Sequence, residues 1–461
     1  MTEQGRSTLP VDETGLILDR LAGLQSVITE EQIRQALSLT GRVNERACKL
    51  PHEVMMWVVL SMGIFTNVPI CQVFKSCRRF RPDETPARSS LCEARKRLGF
   101  EPLRQLHADV VRLLGTPDTP GAFYKGLRWM AIDGTLLDLP DSLANTAAFE
   151  RPSNGGGAGG FPQARKVSLV ELGTHVEFAI AIGGFQHGEQ TLARQLYGSI
   201  PSDALVIEDR GFFSFPDWKE LDSRKIKLLI RLKNNIIVIP IKRLSDGSCL
   251  AKIYPNEYAR KKDRDGLLVR LIEYTLDDPQ RKGHGEKHRL LTNLLDAEEF
   301  PAVELIVGYH QRWEHELVYD EQKTHQDPIR AEKTTHLRSE TPDGVRQEIY
   351  ALSLAHFVIR ALMFEAAKPL QLDPDRLSFT GCFRVLQCRL PDCRPQNAAA
   401  IQDWYQNLLL EFQEQQIPER ANRTNPRAIK RKLSKWLKKR NQHRGKDRLD
   451  KHFTECIVIS I

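Results

Sequence analysis

No Cys-x-x-Cys pair occurs among the nine cysteines, and their odd, scattered distribution excludes a disulfide framework and a paired-thiol zinc site. Even the closest group, Cys382, Cys388 and Cys393, has no neighbouring His to complete a tetrahedral ligand set, so reduced structural thiols are expected. Long apolar runs are missing as well. Val54 to Phe65, interrupted by Ser61 and Gly63, is the longest, whereas spanning a bilayer takes roughly 20 residues. The first residues, Met1-Thr-Glu-Gln-Gly-Arg6, carry neither a basic n-region nor an apolar h-region, so a cytoplasmic protein with no membrane partner is expected. Gly-Lys-Ser/Thr occurs nowhere, so the Gly-rich stretch Ser153 to Gly160 is no nucleotide P-loop and reads as a flexible connection. With 7% aromatic residues, a sugar-binding platform is not indicated either.

What is present is an ordinary globular composition, 41% hydrophobic and 27% charged over 461 residues, a length that suggests about three domains. The net charge of +8 hides an asymmetry: Arg420 to Lys451 holds 14 Lys and Arg against Asp447 and Asp450, while the rest of the chain is net −4. Such a block suits a polyanion, because each phosphate neutralised releases condensed counterions. Its only apolar residues at helical spacing are Ile429, Leu433, Trp436 and Leu437, so the region beyond Pro418 is not expected to be central to packing.

Residues 1 to about 122 read as helical. Thr29-x-x-Gln32 is a capping box ahead of Ile33, Ala36 and Leu37, and Pro51 suits the first turn of a buried helix over Val54–Phe65. Short helices follow at Ile70–Phe80 and Ala87–Leu98; the second sets Arg88, Arg95, Lys96 and Arg97 opposite Leu91, Ala94 and Leu98, a plausible DNA-contacting face. From Leu127 the period changes to that of strands, at Trp129–Ile132, Val167–Leu172, Val176–Ile182 and Ala204–Ile207, then Lys227–Leu232, Ile236–Ile241 and Leu267–Leu276. Helical pattern resumes at Ala302–His325 and Gly344–Lys368.

Two carboxylates stand at the ends of these strand runs, Asp133 before Gly134 and Asp209 shortly before Gly211. Strand-end acids can point into a shared cleft and bind a divalent cation. A third segment adds Tyr309, Arg312, Glu316 and Lys323. At about 100° per residue these four fall within one arc of about 60° on a helix. Asp320 shares that face and is a rival ligand. An acid flanked by Arg, Lys and Tyr can bind metal while its neighbours grip phosphate oxygens.

Asp133-Gly-Thr, Asp209-Arg-Gly-Phe and Tyr309-x2-Arg312-x3-Glu316-x6-Lys323 together resemble the DDE transposases of bacterial insertion sequences, specifically the insertion-sequence-four family. Leu337-Arg-Ser, Leu377-Ser-Phe-Thr380 and Asn425-Pro-Arg-Ala-Ile-Lys-Arg-Lys432 extend the likeness over most of the chain. The resemblance implies an α/β fold with an RNase H-like catalytic core, a mixed sheet flanked by helices. It places a helical DNA-binding domain at 1–122, core segments at 123–232 and 287–368 around a β-rich insertion at 233–286, and a C-terminal region with the basic tail at 369–461.

The implied chemistry is metal-dependent strand cleavage at the ends of the protein's own element and strand transfer into target DNA. Asp133, Asp209 and Glu316 would hold two Mg²⁺ ions, with Mn²⁺ able to substitute. Tyr309, Arg312 and Lys323 would hold phosphates near the cleavage point. Further DNA contacts would come from Arg210, His288, Arg88, Arg95, Arg427, Lys430, Arg431 and Lys432. Partners would be double-stranded DNA, both inverted-repeat ends and target, and a second copy in a synaptic homodimer; the protein would be bacterial and associate with the nucleoid when bound to DNA. Hairpin-forming members place a Trp before a Leu-Leu-Thr strand, where this chain has His288-Arg289 before Leu290-Leu-Thr292. Two other readings remain: a sequence-specific DNA-binding protein that kept the fold and lost the chemistry, and a glycosidase using paired carboxylates.

Overall fold

A computed structural model describes residues 19–46, 48–78, 85–154, 157–158, 160–279, 284–310, 313–327, 335–393, 397–418 and 451–459. The chain divides into two compact units, Met1–Ile200 with Glu314–Ile417, and Pro201–Trp313 with Pro418–Ile461.

In the first unit Thr29 and Gln32 form the expected reciprocal capping box on the Glu30–Leu39 helix, whose Ile33, Ala36 and Leu37 are buried. The His52–Ile64 helix is buried on nearly all sides, with Pro51 at its N-cap rather than in its first turn. It packs on the 26-residue helix Pro342–Ala367, which Thr341 caps and Pro342 opens. Gly63 allows the close approach, since a Cβ there would stand 2.2 Å from the carbonyl oxygen of Ala351. Pro342–Leu370 is long and apolar enough to cross a membrane, yet 89% of its most apolar window is buried. It is the hub onto which the helices Glu101–Val110, Phe379–Arg389 and Ala398–Gln413 also pack.

The strands of this unit are β1 (Phe123–Tyr124), β2 (Leu127–Asp138), β3 (Ser153–Asn154), β4 (Gly157–Ala158), β5 (Gln163–Glu171) and β6 (Val176–Gly184). β2, β5 and β6 form an antiparallel ladder in that order, with β1 turning back on β2. The Gly-rich stretch contains a two-stranded ladder, β3 against β4, where an unstructured connection was expected.

The second unit begins with β7 (Ala204–Glu208), every residue of which is buried, and β8 (Lys227–Arg231), its parallel neighbour across the helix Phe215–Ser223. It continues with β9 (Ile239–Arg243), β10 (Cys249–Ile253), β11 (Leu267–Leu276), β12 (His288–Thr292) and β13 (Ile457–Ile459). β8 pairs with β12, β12 with β11, β11 with β10 and β10 with β9, all antiparallel. Strands β9 to β11 are therefore bonded through β12 into one mixed sheet with β7 and β8. β13 pairs with Tyr274–Leu276, the part of β11 that runs past the end of β10, and Cys456 just before it is fully buried. The region beyond Pro418 thus contributes a strand to this unit, a correction to the expectation from its sparse apolar residues: three residues suffice because β11 supplies the ladder.

All nine cysteines are free thiols. Burial pushes the thiols of Cys77 and Cys382 up to about 12, as inert structural thiols require.

Candidate active site

Asp133 lies in the middle of β2 rather than at its end, opposite Ser168 of β5. The run Trp129–Ile132 marks only the most buried part of a 12-residue strand; beyond it β2 is half-exposed, which erases the alternating signal. The Gly134 N–H donates to Asp133 Oδ1 at 2.8 Å. A Cβ on Gly134 would stand 2.8 Å from Glu189 Cγ, so glycine follows the acid because another carboxylate side chain packs there. Arg165 donates to Glu189 Oε1 at 2.7 Å. Sequence reasoning missed this pair, and the glycine was its one trace.

The segment expected as one helix over Ala302–His325 is described in three parts: Ala302–His310, Trp313–Asp320, and a π-helical turn over Glu321–Gln326. Glu316 is half-buried on the second part. From the same part, Tyr319 Oη donates to the Asp133 carbonyl oxygen at 2.7 Å and lies 2.7 Å from Ser168 Oγ. In the π turn, Lys323 Nζ donates to Thr135 Oγ1 at 3.0 Å and to the Leu136 carbonyl oxygen at 2.9 Å. Helical bookkeeping at 100° per residue stops at Asp320, because a π turn closes on i→i+5 bonds. Lys323 accordingly turns onto β2 and is half-buried, a correction to the open polar stripe. Burial lowers its pKa, and Lys166 adds to the effect. Asp320, the rival ligand, is exposed and pairs with His325 at 3.3 Å.

Consecutive buried polar residues occupy the π turn. Glu321 accepts from His356 Nε2 at 2.8 Å and from Arg360 Nε at 3.0 Å, while Gln322 bridges Lys166 (2.5 Å) and Glu177 (3.0 Å). Burial works against the Glu177 carboxylate, but Lys166 at 2.6 Å outweighs it and holds the group well below the usual range.

In the second unit Asp209 follows β7 directly, half-buried, and its carbonyl oxygen accepts from Phe212 N at 3.0 Å. The adjacent acid is of a different kind: burial, with Asp217 adding, pushes Glu208 up to about 8, so it stays largely neutral near pH 7. Arg210 is exposed and lines a cleft of about 520 Å³ together with Arg231, Lys233 and Lys287, Asn234 and Asn235, and a single acid, Glu286. Only Arg210 of this group was singled out from sequence; the others come together because β8, its following turn and the approach to β12 are neighbours in the sheet. Two expected DNA contacts are turned inward here. Tyr309 is buried, and His288 is buried, stacked on Tyr274 at 5.0 Å and accepting from Arg231 Nη2 at 3.1 Å.

On the Arg88–Leu98 helix, Leu91, Ala94 and Leu98 are buried as expected and Arg88 is exposed. Arg95 is not. It donates to Gln347 Oε1 and the Gly344 carbonyl oxygen, both at 2.7 Å, and to Glu348 Oε1 at 3.2 Å. Glu348 is the common acceptor of Arg95, Arg338 and Ser339, which explains the Leu337-Arg-Ser motif as a brace on the central helix. Arg312, Arg427, Lys430, Arg431 and Lys432 lie outside the described residues.

By donor chemistry, Asp133, Asp209 and Glu316 suit a hard divalent cation, which takes carboxylate oxygens. Among the described residues no three His, Cys, Asp or Glu side chains are already gathered as a metal-binding group.

Residues 18–108 match the family described as insertion element 4 transposase N-terminal, and residues 125–358 match the transposase DDE domain. The chain is 30% identical over 425 residues to the transposase InsG for insertion sequence element IS4 of Escherichia coli K12, covering 90% of this chain and 93% of that one. It is 25% identical over 227 residues to InsZ of the same organism, also named as a transposase, covering 43% of this chain and 72% of that one. A solved piggyBac transposase synaptic complex with hairpin DNA overlays at a TM-score of 0.45 and 14% identity, over 85% of each chain. The helix-flanked mixed strands within the matched DDE domain are those of an RNase H-like core, the fold of metal-dependent polynucleotidyl transferases. The chain belongs to the insertion element 4 family of DDE transposases, enzymes of DNA transposition. DDE domains depend on divalent metal ions and act on DNA.

Proposed function

We propose that this transposase cleaves DNA at the inverted-repeat ends of its own insertion element and joins the freed ends to target DNA, with Asp133, Asp209 and Glu316 as its metal-holding acids. The observation that carries this reading is the bonding of the Glu316 helix to the strand bearing Asp133, inside the segment that matches the DDE domain. Two Mg²⁺ ions, or Mn²⁺ in their place, would activate the attacking water or 3′-OH and stabilise the leaving oxygen. The protein's own part is to orient. Gly134 N–H fixes one oxygen of Asp133, and Lys323 ties the helix to β2 two and three residues further on.

Phosphates of the bound strand would be held by Arg210, Arg231, Lys233 and Lys287, whose cleft carries one acid among four cations. Arg88, Arg312 and the basic block with Arg427, Lys430, Arg431 and Lys432 would add contacts elsewhere on the duplex. The five-segment division given above belongs to this reading, as do a homodimer that pairs two ends and a cytoplasmic, nucleoid-associated protein.

The test is Mg²⁺-dependent nicking of duplexes carrying the element's terminal repeats. Asp133→Asn, Asp209→Asn and Glu316→Gln should each lower cleavage by roughly 10³-fold or more, through loss of transition-state stabilisation, and leave end binding intact. Asp320→Asn should cleave normally. Near-normal cleavage by any of the first three variants would remove that acid from the site.

A further inference from the structure

We infer that Tyr319 is a positioning residue for Asp133, so that the helix carrying Glu316 sets the placement of the strand-borne acid through one phenol hydroxyl. The inference rests on the reading of Asp133 and Glu316 as metal-holding acids. Tyr319 lies three residues after Glu316, nearly one helical turn, and its ring is buried. Its hydroxyl donates to the Asp133 carbonyl oxygen, so its single proton is committed, and the 2.7 Å contact with Ser168 Oγ is made by the serine proton. Ser168 is fully buried and sits directly across the β2–β5 ladder from Asp133. The relay Ser168 → Tyr319 → Asp133 therefore crosses from the neighbouring strand, through the helix, back to the peptide that carries the acid.

The next contacts along the helix support the same function. Lys323 grips Thr135 and Leu136, which sets helix and strand together over several residues, and Tyr319 acts at Asp133 itself. The β2–β5 ladder fixes the register of Asp133 opposite Ser168, and the Gly134 N–H donates to its carboxylate; the phenol hydroxyl adds a bond from the Glu316 helix to the same peptide. Loss of the phenol hydroxyl would uncouple this peptide from the helix that carries Glu316. Misplacement of a reacting group by about 1 Å can lower a rate by roughly 10²-fold.

Tyr319→Phe keeps the ring and removes only the hydroxyl. At saturating end DNA its single-turnover cleavage rate should fall by about 10-fold, with end affinity and unfolding midpoint within about twofold and about 2 °C of the parent. The Mn²⁺ concentration for half-maximal cleavage should rise several-fold. Mn²⁺ binding to the protein–DNA complex, read by loss of the free ion's paramagnetic resonance signal, should weaken in parallel. Ser168→Ala should show a smaller effect of the same kind, and the double variant should be no worse than Tyr319→Phe, because the two act in series. Unchanged rate and Mn²⁺ dependence in Tyr319→Phe would overturn the inference, as would a loss of stability with normal Mn²⁺ affinity. If Asp133→Asn itself cleaves normally, the underlying assignment fails instead.

Discussion

Cations inside the first unit and cations around the cleft of the second have opposite surroundings. Lys166 and Arg360 are buried and Arg95 is half-buried, and each is answered by carboxylates at hydrogen-bonding distance, Glu177, Glu321 with Asp375, and Glu348. Arg210, Lys233 and Lys287 are exposed around a cleft with one lining acid. The first kind holds structure together and has no capacity left for a phosphate. The second kind has solvent to exchange for one. Residue type therefore does not separate a brace from a solvent-open cation in this protein; burial does.

The sharpest way to break the comparison is to unbalance a buried cluster. Glu321→Ala removes the acceptor of His356 and Arg360 and leaves Arg360 to Asp375 alone. Breaking a buried pair from one side costs about 3–5 kcal/mol, because the remaining charge stays out of water. Chemical denaturation should show that loss. A change below about 1 kcal/mol, the range of exposed ion pairs, would put this cluster with the cleft and not against it.

Much of this division could be read in advance, and the rest could not for definable reasons. The capping box at Thr29 and the buried His52–Ile64 helix follow from local pattern, and so do the strands β6 to β8 and the second half of β5, where apolar residues are concentrated. Asp209 after β7 was legible in the same way. The centre of β2 was not, since half-exposed residues continue the strand past the apolar run. Arg88 and Arg95 are seven residues apart, at almost the same azimuth of one helix. One is exposed and the other half-buried because Glu348, some 250 residues away in sequence, faces only the second. The π turn at Glu321 depends on partners as distant as His175 and Arg360, and no periodicity in the segment itself announces it. Ser168 and Tyr319 had no signal of their own, because each acts by a backbone or hydroxyl bond that only the register of β2 on β5 creates.

A second test uses pH on the same buried network. His107 Nε2 lies 3.0 Å from Ser353 Oγ, which donates to Glu177 at 2.6 Å, so the imidazole enters as the neutral donor at the end of a chain. Burial lowers its pKa from 6.5 to about 4, with Glu177 opposing and Lys166 assisting. The sign follows directly: between about 6.5 and 4 the unfolded chain takes up a proton that the folded chain refuses, so stability falls as pH falls through that window and levels off below it. The full depression corresponds to about 3 kcal/mol. His107→Gln should flatten the fall in unfolding free energy between pH 6.5 and pH 4 by that order. An equally steep fall in the variant would mean that His107 takes up its proton as readily in the fold as in the unfolded chain, so that burial does not exclude its charge.

The smallest effect tests the other side of the comparison. Lys233 is exposed, and Lys287, itself exposed, pairs at 2.6 Å with the buried Glu273, which keeps Arg289 at 2.9 Å when the lysine is removed. Lys233→Ala with Lys287→Ala should leave the unfolding midpoint unchanged, since exposed ion pairs contribute about 0–1 kcal/mol. If both hold phosphates, the slope of log affinity against log salt for end DNA should become shallower by about 2 units, because each contact contributes about 0.9. That corresponds to a loss of affinity of roughly tenfold or somewhat more at moderate salt, equal for specific and unrelated duplexes, since phosphate contacts carry no sequence information. A loss confined to the terminal repeats would instead make the cleft a reader of bases or of strand shape. No change in slope would leave the four cations as a solvated rim, and the contrast with the buried cluster would then concern stability alone.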